Sequence, residues 1–235
     1  MLFKNRVDAG QRLAEALIRY KEEDLIVYAL PRGGIVLGYE ISKRLNAPLD
    51  LIITRKIGYP GNEECALCAV AEDGHMICDS SSVSLIDSQW IQENAEKEME
   101  EAKRRRLAYL KGRAPLAVTG KIAVIVDDGV ATGLTLMLAI QELKHNNPKK
   151  IIVAVPVSSP TAARKIQQEA DELVALDTPA NFCAVGAYYE SFPQLTDDEV
   201  IRIMELASHL PSSKKFLSDQ ADKKQPNSKK SGTTS

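Results

Sequence analysis

Two adjacent carboxylates, Asp127 and Asp128, separate a short apolar run from a segment of glycines and threonines. That segment contains Gly129, Thr132, Gly133 and Thr135. Glycines let a backbone approach an anion closely and threonine hydroxyls add donors, so the segment suits a phosphate. The carboxylates cannot hold that phosphate, but they can accept hydrogen bonds from vicinal sugar hydroxyls, and either is a candidate to contact a metal ion. The residue types and their spacing therefore favour a site for a ribose 5-phosphate.

The flanking sequence predicts the elements that hold this site. Residues 122–126 are apolar and mostly β-branched, which is typical of a buried parallel strand, and the pattern is helical by 136–140. The loop between them then lies at the start of a helix, where free N–H groups and the helix dipole favour an anion. The alternative is an ordinary strand-to-helix turn with an N-cap Asp, which requires neither paired carboxylates nor two threonines.

A second strand–loop–helix unit precedes the first. Residues 25–30 predict a buried strand and 35–45 a helix, and the loop between them carries Arg32, Gly33 and Gly34. Arg32 offers a planar fork of donors and the glycines expose N–H groups, which together suit a diphosphate. The alternative is a tight turn with a solvent-facing Arg32.

A third loop follows the predicted strand 49–54 and begins with Arg55 and Lys56. The glycines and proline at 57–61 predict that this loop is mobile. Strands and helices alternate along the chain, which predicts a parallel sheet with helices on both faces. All three loops would then meet at the carboxyl edge of the sheet, where open α/β sheets bind their ligands.

The stretch 121–135, KIAVIVDDGVATGLT, resembles the 5-phosphoribosyl 1-diphosphate (PRPP) binding motif of type I phosphoribosyltransferases. It is neither a Walker A loop nor a dinucleotide-binding glycine fingerprint. The resemblance implies an α/β, Rossmann-like parallel-sheet fold within one domain at 1–210. It also implies a flexible lid hairpin at 56–78 and a small C-terminal hood at 177–210.

The resemblance assigns roles to residues at the matching positions. Those implied to bind the 5-phosphate and ribose are Asp127, Asp128, Gly129, Val130, Ala131, Thr132, Gly133 and Thr135. Those implied to bind the diphosphate are Arg32, Gly33, Gly34, Arg55 and Lys56. The catalytic set is Asp127, Asp128, Arg55 and Lys56, and the two aspartates are candidate Mg²⁺ contacts. Asp128 is the candidate for proton transfer, because one of two neighbouring carboxyls can have a raised pKa.

A closer resemblance, over residues 3–205, is to a bacterial family of uncharacterised phosphoribosyltransferases. The opening pattern of that family is matched by Phe3, Arg6, Ala9 and Gly10. Its lid pattern is matched by Asn62, Glu64, Ala66, Ala69 and Val70. The chain departs from the family at Cys68, which replaces a glycine, and at Cys65, which replaces a leucine.

The implied reaction transfers the 5-phosphoribosyl group from PRPP to a nitrogenous base, purine or pyrimidine, and releases diphosphate with Mg²⁺ as cofactor. Such a reaction serves nucleotide salvage, and the lid would shield an oxocarbenium-like transition state from water. Two alternatives remain: a regulatory protein that binds PRPP without turnover, and a Mg²⁺-dependent sugar-phosphate enzyme. The resemblance is compatible with a homodimer, and the sequence does not identify the acceptor base.

Cys65 and Cys68 have the spacing of a redox or zinc motif, but no second pair follows. Cys78 and Cys183 stand alone. The segment 65–70 is apolar and predicts a short strand, in which cysteine behaves as a small hydrophobic residue. The sequence therefore favours free thiols over a redox or zinc site.

Residues 87–110 predict a long amphipathic helix that carries the basic run 103–106. A solvated helix face is the favoured interpretation of this run. The alternative is a basic rim that attracts a polyanionic substrate.

Tyr188, Tyr189 and Phe192 give the C-terminal part of the chain a concentration of aromatic side chains. They are candidates to stack on the acceptor base, and the alternative is that they seal an edge of the core.

Composition narrows the class of protein further. The chain has 235 residues and a net charge of −2; six lysines and two aspartates give residues 211–235 a charge of +4, which leaves −6 for the rest. An acidic body argues against nucleic acid as the main partner. The sequence has no apolar run of membrane-spanning length and no signal-peptide pattern, so we expect a cytoplasmic protein. The polar tail at 211–235 is expected to be disordered.

Overall fold

The buried apolar runs form a central sheet in the computed structural model, which describes residues 1–213 apart from the side chains of residues 63–65. The strands are β1 (Leu25–Ala29), β2 (Leu49–Leu51), β3 (Thr54–Tyr59), β4 (Asn62–Ala71), β5 (Met76–Cys78), β6 (Ile122–Val126), β7 (Lys150–Val157) and β8 (Glu172–Asp177). The helices are α1 (Arg6–Ala16), α2 (Gly34–Leu45), α3 (Ser88–Leu110), α4 (Leu134–Lys144), α5 (Pro160–Glu169) and α6 (Asp197–Ser208). Among the described residues, no helix is both long and apolar enough to span a membrane.

The central sheet has the strand order β2-β1-β6-β7-β8, and every pair is parallel. This confirms the α/β parallel-sheet fold that the sequence predicts. From β1 the chain adds β2 on one side of the sheet. It then adds β6, β7 and β8 in turn on the other side, so the strand order reverses between β1 and β6. Ala29 pairs with Val126 across that point, which sets the loops after β1 and β6 side by side. Open α/β sheets bind ligands in the crevice at such a reversal.

Helices cover both faces of the sheet because its strands are apolar on both faces. Along β1, Val27 belongs to the apolar core beneath α1, α2 and α6, whereas Ile26 belongs to the core beneath α4 and α5. Both side chains are fully buried. Complete burial of one such side chain contributes roughly 1.5–3 kcal/mol to folding, so the two cores fix the strands that carry the crevice.

The segment after β2 forms a second, antiparallel sheet with the order β3-β4-β5. The strand predicted at 49–54 ends at Leu51, and residues 54–59 form β3 where the sequence pattern predicts a mobile loop. The strand forms because Ile57 is buried with Leu67 and Val70 on the apolar face of this sheet. The glycines and proline mark only its irregular end and the turn into β4. A hairpin turn at 72–75 joins β4 to β5.

Cys68 and Cys78 form a disulfide, so the prediction of free thiols is wrong for this pair. The two residues face each other in the register of β4 and β5, a neighbourhood that their spacing along the chain does not reveal. Cys183 is free, as predicted, and its side chain is exposed. The side chain of Cys65 lies outside the described part of the chain.

All four basic residues of the run 103–106 on α3 are engaged in ion pairs. The pairs are Lys103–Glu100, Arg104–Glu101, Arg104–Asp197, Arg105–Glu101 and Arg106–Glu72. These contacts join α3 to the start of α6 and to the β4–β5 turn, which supports a structural use of the run over a substrate-attracting rim.

The C-terminal helix begins at a capped N-terminus. Thr196 and Glu199 form a reciprocal capping box at the start of α6. Residues 211–213 are helical, where the sequence pattern predicts a disordered tail, and the rest of that tail lies outside the described residues.

Glu142, on the last turns of α4, is the most unusual carboxyl away from the crevice. Burial, together with the charges of Asp73 and Glu72, raises its pKa to about 7 against the opposing charges of Arg106 and His75. One buried oxygen of Glu142 has no hydrogen-bond partner among the described residues. An ionised Glu142 therefore destabilises the folded chain.

We expect Glu142→Gln to stabilise the protein at pH 8 and to have a much smaller effect at pH 5. The folded chain binds the Glu142 proton more tightly than the unfolded chain, so stability falls as the pH rises from about 4.3 to about 7 and the full penalty applies above that. The gain at pH 8 should be about 1–3 kcal/mol. Urea unfolding at both pH values measures it, with the exposed Glu22→Gln as control; an equal effect of Glu142→Gln at the two pH values would contradict the expectation.

Candidate functional site

The two aspartates lie directly after β6, in the crevice where the strand order reverses. Asp127 Oδ1 accepts a hydrogen bond from the backbone N–H of Asp128 at 2.8 Å. Asp128 Oδ2 accepts one from Arg6 Nε at 2.7 Å, and the side chains of this ion pair are only 16% and 10% exposed. The two carboxylates are thus held by different partners, one by its own loop and one by a distant arginine.

The loop after the carboxylates is hydrogen-bonded on one side to Ser159, which follows β7, and is exposed to solvent on the other side. The backbone N–H of Ser159 donates to the carbonyl of Val130 at 2.9 Å, and Ser159 Oγ donates to the carbonyl of Ala131 at 2.6 Å. Ala131 and Thr132 remain exposed. Helix α4 then starts after Gly133, whose φ is +83°, with no side chain capping its first N–H groups. An uncapped helix start beside an exposed loop is the arrangement that binds an anion.

Two glycines bring neighbouring segments against this loop. A Cβ atom on Gly33 would lie 1.8 Å from Asp128 Oδ2, so the glycine loop after β1 touches the carboxylate directly. A Cβ atom on Gly129 would lie 2.4 Å from Val185 Cγ1, so the hood lies against the other side of the loop. The predicted diphosphate loop, the predicted ribose loop and the hood therefore meet at one place.

Arg32 stands at the rim of the same crevice. Its guanidinium lies 3.9 Å from Asp197 at the start of α6, and its side chain is 36% exposed. Asp197 is held in turn by Arg104 at 2.7 Å and by the hydroxyl of Tyr109 at 2.6 Å. Arg32 is thus positioned by an acidic neighbour and remains accessible to an anionic ligand.

Arg55 and Lys56 lie on β3, in the antiparallel sheet. Arg55 Nε donates to Glu98 of α3 at 2.7 Å, and the side chain of Lys56 is exposed. Both residues line a cavity of about 300 Å³ with Trp90 and Asn94 of α3. In this conformation, their described partners and neighbours belong to the antiparallel sheet and α3, so a role at the diphosphate remains a prediction that requires this sheet to move.

Among the aromatic residues of the hood, Tyr189 is buried, whereas Phe182, Tyr188 and Phe192 are half-buried. Tyr189 is 6% exposed, its hydroxyl donates to the carbonyl of Asp128 at 2.6 Å, and its ring lies 5.5 Å from Phe3 and 4.7 Å from Phe192. Tyr189 therefore packs within the protein, as in the core-sealing alternative, and the half-buried Phe192 packs against the edge of that core. Tyr188 stacks on Phe182 at 5.6 Å, and both rings are half-buried.

The sequence pattern did not single out Phe182, Val185 or Arg6 as site residues. The closest signal was the opening family pattern, which includes Arg6 without giving it a role. Nothing in the local sequence indicates that Arg6 reaches Asp128, because the two are 122 residues apart.

Burial and charge separate the two carboxyls. Burial and the neighbouring Asp128 raise the pKa of Asp127 well above its usual range, with smaller opposing effects of a backbone N–H and Arg6. Burial also raises the pKa of Asp128, but the ion pair with Arg6 opposes it. The pKa of both carboxyls is thus raised, and the ion pair with Arg6 opposes the shift more strongly at Asp128; proton transfer by Asp128 stays a prediction.

The paired carboxylates fit a magnesium ion only in company with a substrate. The described residues contain no group of three or more His, Cys, Asp or Glu side chains that could hold a metal ion by themselves. Mg²⁺ commonly binds through one or two carboxylates and completes its shell with substrate phosphates and water. Asp127 and Asp128 supply the two carboxylates of such a site, and substrate phosphates and water would supply the other ligands.

The chain matches known proteins along most of its length. Residues 2–190 match the family model described as "Phosphoribosyl transferase domain". Two curated proteins from strains of Mycobacterium tuberculosis, both provisionally named phosphoribosyl transferases, are 38% identical over 208 residues. That match covers 88% of this chain but 47% of theirs, so the chain spans about half the length of these relatives.

A solved structure shows a similar fold. The crystal structure of TT1426 from Thermus thermophilus is 39% identical to this chain, with a TM-score of 0.72 over 87% of this chain and 98% of that one. The family model, these relatives and the parallel sheet with its Asp-Asp loop agree. The chain therefore belongs to the phosphoribosyl transferase family.

Proposed function

We propose that this chain transfers the 5-phosphoribosyl group from PRPP to a nitrogenous base and releases diphosphate. The observation that supports this most is the contact between the glycine loop after β1 and the carboxylate of Asp128, next to the uncapped start of α4. One crevice thereby combines donors for two phosphate groups with acceptors for ribose hydroxyls. The reaction needs that combination, and a simple phosphatase does not.

In the proposed mechanism, the N–H groups of residues 129–135 bind the 5-phosphate, with the hydroxyls of Thr132 and Thr135 as further donors. Asp127 and Asp128 accept hydrogen bonds from the ribose hydroxyls. Their negative charge also stabilises the positive charge that develops on the ribose ring as the bond to the leaving group lengthens. The 5-phosphate and ribose are thus fixed before the base arrives.

The leaving group is bound by cations in the same scheme. Arg32, with the N–H groups of Gly33 and Gly34, binds the diphosphate, and Arg55 and Lys56 join it when the lid closes. The bond between C1 and the diphosphate oxygen breaks, a bond between C1 and a nitrogen of the base forms, and the proton of that nitrogen passes to the carboxylate pair. Mg²⁺, held by Asp127 and Asp128, would neutralise charge on the diphosphate oxygens.

The wider setting of the proposal follows from this chemistry. The half-buried Phe182 and Tyr188 are our candidates in the hood to contact a base, because Tyr189 is buried and Phe192 packs against Tyr189 and Arg6. We place the chain in nucleotide salvage in the cytoplasm, with PRPP and a base as its partners and a homodimer as its assembly.

The test is diphosphate release from PRPP and Mg²⁺ in the presence of each of a panel of purine and pyrimidine bases. We expect that, with one of the bases, the amount of diphosphate released equals the amount of nucleoside monophosphate formed. Binding of PRPP with no release for any base would favour the regulatory alternative. Release that is independent of base, together with hydrolysis of simple sugar phosphates, would favour the sugar-phosphate enzyme; either result would contradict the proposal.

A further inference from the structure

Arg6 is the first residue of α1, yet its side chain lies between the crevice and the hood. Its Nε donates to Asp128 Oδ2 at 2.7 Å, and its Nη1 donates to the carbonyl of Pro193 at 2.6 Å. Its guanidinium carbon lies 3.8 Å from the centroid of the Phe192 ring. One cation, with a side chain only 10% exposed, therefore joins the Asp128 carboxylate to two residues of the hood.

The backbone around Arg6 is fastened to the hood as well. The N–H of Phe3 donates to the carbonyl of Tyr188 at 2.9 Å, and the N–H of Glu190 donates to the carbonyl of Phe3 at 2.8 Å. Tyr189, between them, donates from its hydroxyl to the carbonyl of Asp128. The hood therefore holds the backbone of Asp128 through Tyr189 and its carboxylate through Arg6.

We infer that Arg6 is a positioning residue that fixes the orientation of the Asp128 carboxylate and makes that orientation depend on the hood at Phe192 and Pro193. The inference rests on the proposed function, in which Asp128 binds the ribose of PRPP. A guanidinium can donate from two edges while its face packs on an aromatic ring, and a lysine ammonium cannot do all three. An arginine held on three sides has few other positions, so the carboxylate that it binds has few as well.

This arrangement has a consequence for substrate binding. Phe192 packs on the guanidinium of Arg6, so a change at Phe192 should alter the use of PRPP through Arg6 and Asp128. If Phe192 instead contacted the acceptor, the same change should alter the KM for the base.

The test compares Arg6→Gln, Arg6→Lys and Phe192→Leu with Arg44→Gln, an exposed arginine at the end of α2, as the matched control. We expect Arg6→Gln to raise the KM for PRPP about tenfold or more, with little change in the KM for the base. Arg6→Lys should recover part of that loss, Phe192→Leu should raise the same KM severalfold, and Arg44→Gln should match the wild type. In a chain that already carries Asp128→Asn, Arg6→Gln should not raise the KM for PRPP further, because both changes remove the same ion pair.

Three results would overturn the inference: an unchanged KM for PRPP in folded Arg6→Gln, an effect of Phe192→Leu on the KM for the base alone, or fully multiplicative effects of Arg6→Gln and Asp128→Asn. A wild-type chain that does not use PRPP would instead refute the proposed function. In that case, a double-mutant cycle of Arg6→Gln and Asp128→Asn in urea unfolding still tests whether Arg6 positions Asp128. We expect a coupling between the two changes of about fivefold or more in the unfolding equilibrium constant, and additive effects would refute it.

Discussion

Replacing both crevice aspartates, as Asp127→Asn and Asp128→Asn, is expected to reduce PRPP turnover by about 10³-fold or more while the chain stays folded. The amides keep the shape of the side chains but remove the negative charge that would stabilise the ribose ring in the transition state. Diphosphate release at saturating base measures the loss.

The stability of this double variant separates a functional effect from a structural one. Burial already disfavours the charged form of both carboxyls, so neutral amides relieve one cost of folding while they remove the ion pair with Arg6. We expect the free energy of unfolding to change by about 2 kcal/mol or less. Asp24→Asn, an exposed carboxylate at the opposite edge of the sheet, is the control and should retain full turnover. Wild-type turnover in the double variant would remove the aspartates from the mechanism.

Gly33→Ala is expected to reduce kcat/KM for PRPP by about 10²-fold, with a loss of stability no larger than that of breaking the ion pair between Asp128 and Arg6. Gly33 has φ −61° and ψ −42°, which alanine adopts without strain, so its backbone does not require a glycine. The new methyl group would instead meet Asp128 Oδ2 at 1.8 Å and displace the carboxylate from its position beside Arg6. The measurement is steady-state turnover together with urea unfolding.

The adjacent glycine provides the contrasting variant. A Cβ atom on Gly34 would lie 2.7 Å from the carbonyl oxygen of Val126, which is strand backbone and cannot move aside as a carboxylate can. Gly34→Ala should therefore lose stability, whereas Gly33→Ala should lose activity. Equal losses of stability in the two variants would show that Gly33 serves the fold rather than the position of Asp128.

The sequence was sufficient to predict the central sheet because local patterns determine it. Residues 122–126 are buried on both faces, and only a central parallel strand accommodates such a run. The alternation of strands and helices then limits the topology, and the carboxyl ends of β1 and β6 must share one edge. The convergence of the loops at 31–34 and 127–133 was predictable for that reason.

The second sheet was only partly predictable, because its pairing is non-local. Residues 55–61 contain the glycines and proline of a loop, yet Thr54 to Ile57 pair with Cys68 to Ala71 of β4. The disulfide between Cys68 and Cys78 follows from the same register. The sequence favoured free thiols instead, because the spacing of cysteines along the chain carries no information about which strands pair.

The part of the site that the sequence did not predict consists of long-range side-chain contacts. Arg6 reaches Asp128 because the N-terminal residues pair with the hood, and only the folded chain shows that pairing. The same contacts bury Tyr189, which the sequence offered as a base-stacking residue. Aromatic composition predicts that rings gather in a region, and burial decides which of them are free to bind a ligand.

The central claim is that the crevice between β1 and β6 binds PRPP through the aspartate pair. The most direct test is a calorimetric titration of PRPP, with and without Mg²⁺, into the wild-type chain and into the Asp127→Asn/Asp128→Asn variant. We expect Mg²⁺-dependent binding to the wild type that is lost in the folded variant. Equal binding to both proteins, or no binding to the wild type with and without the bases, would contradict the claim.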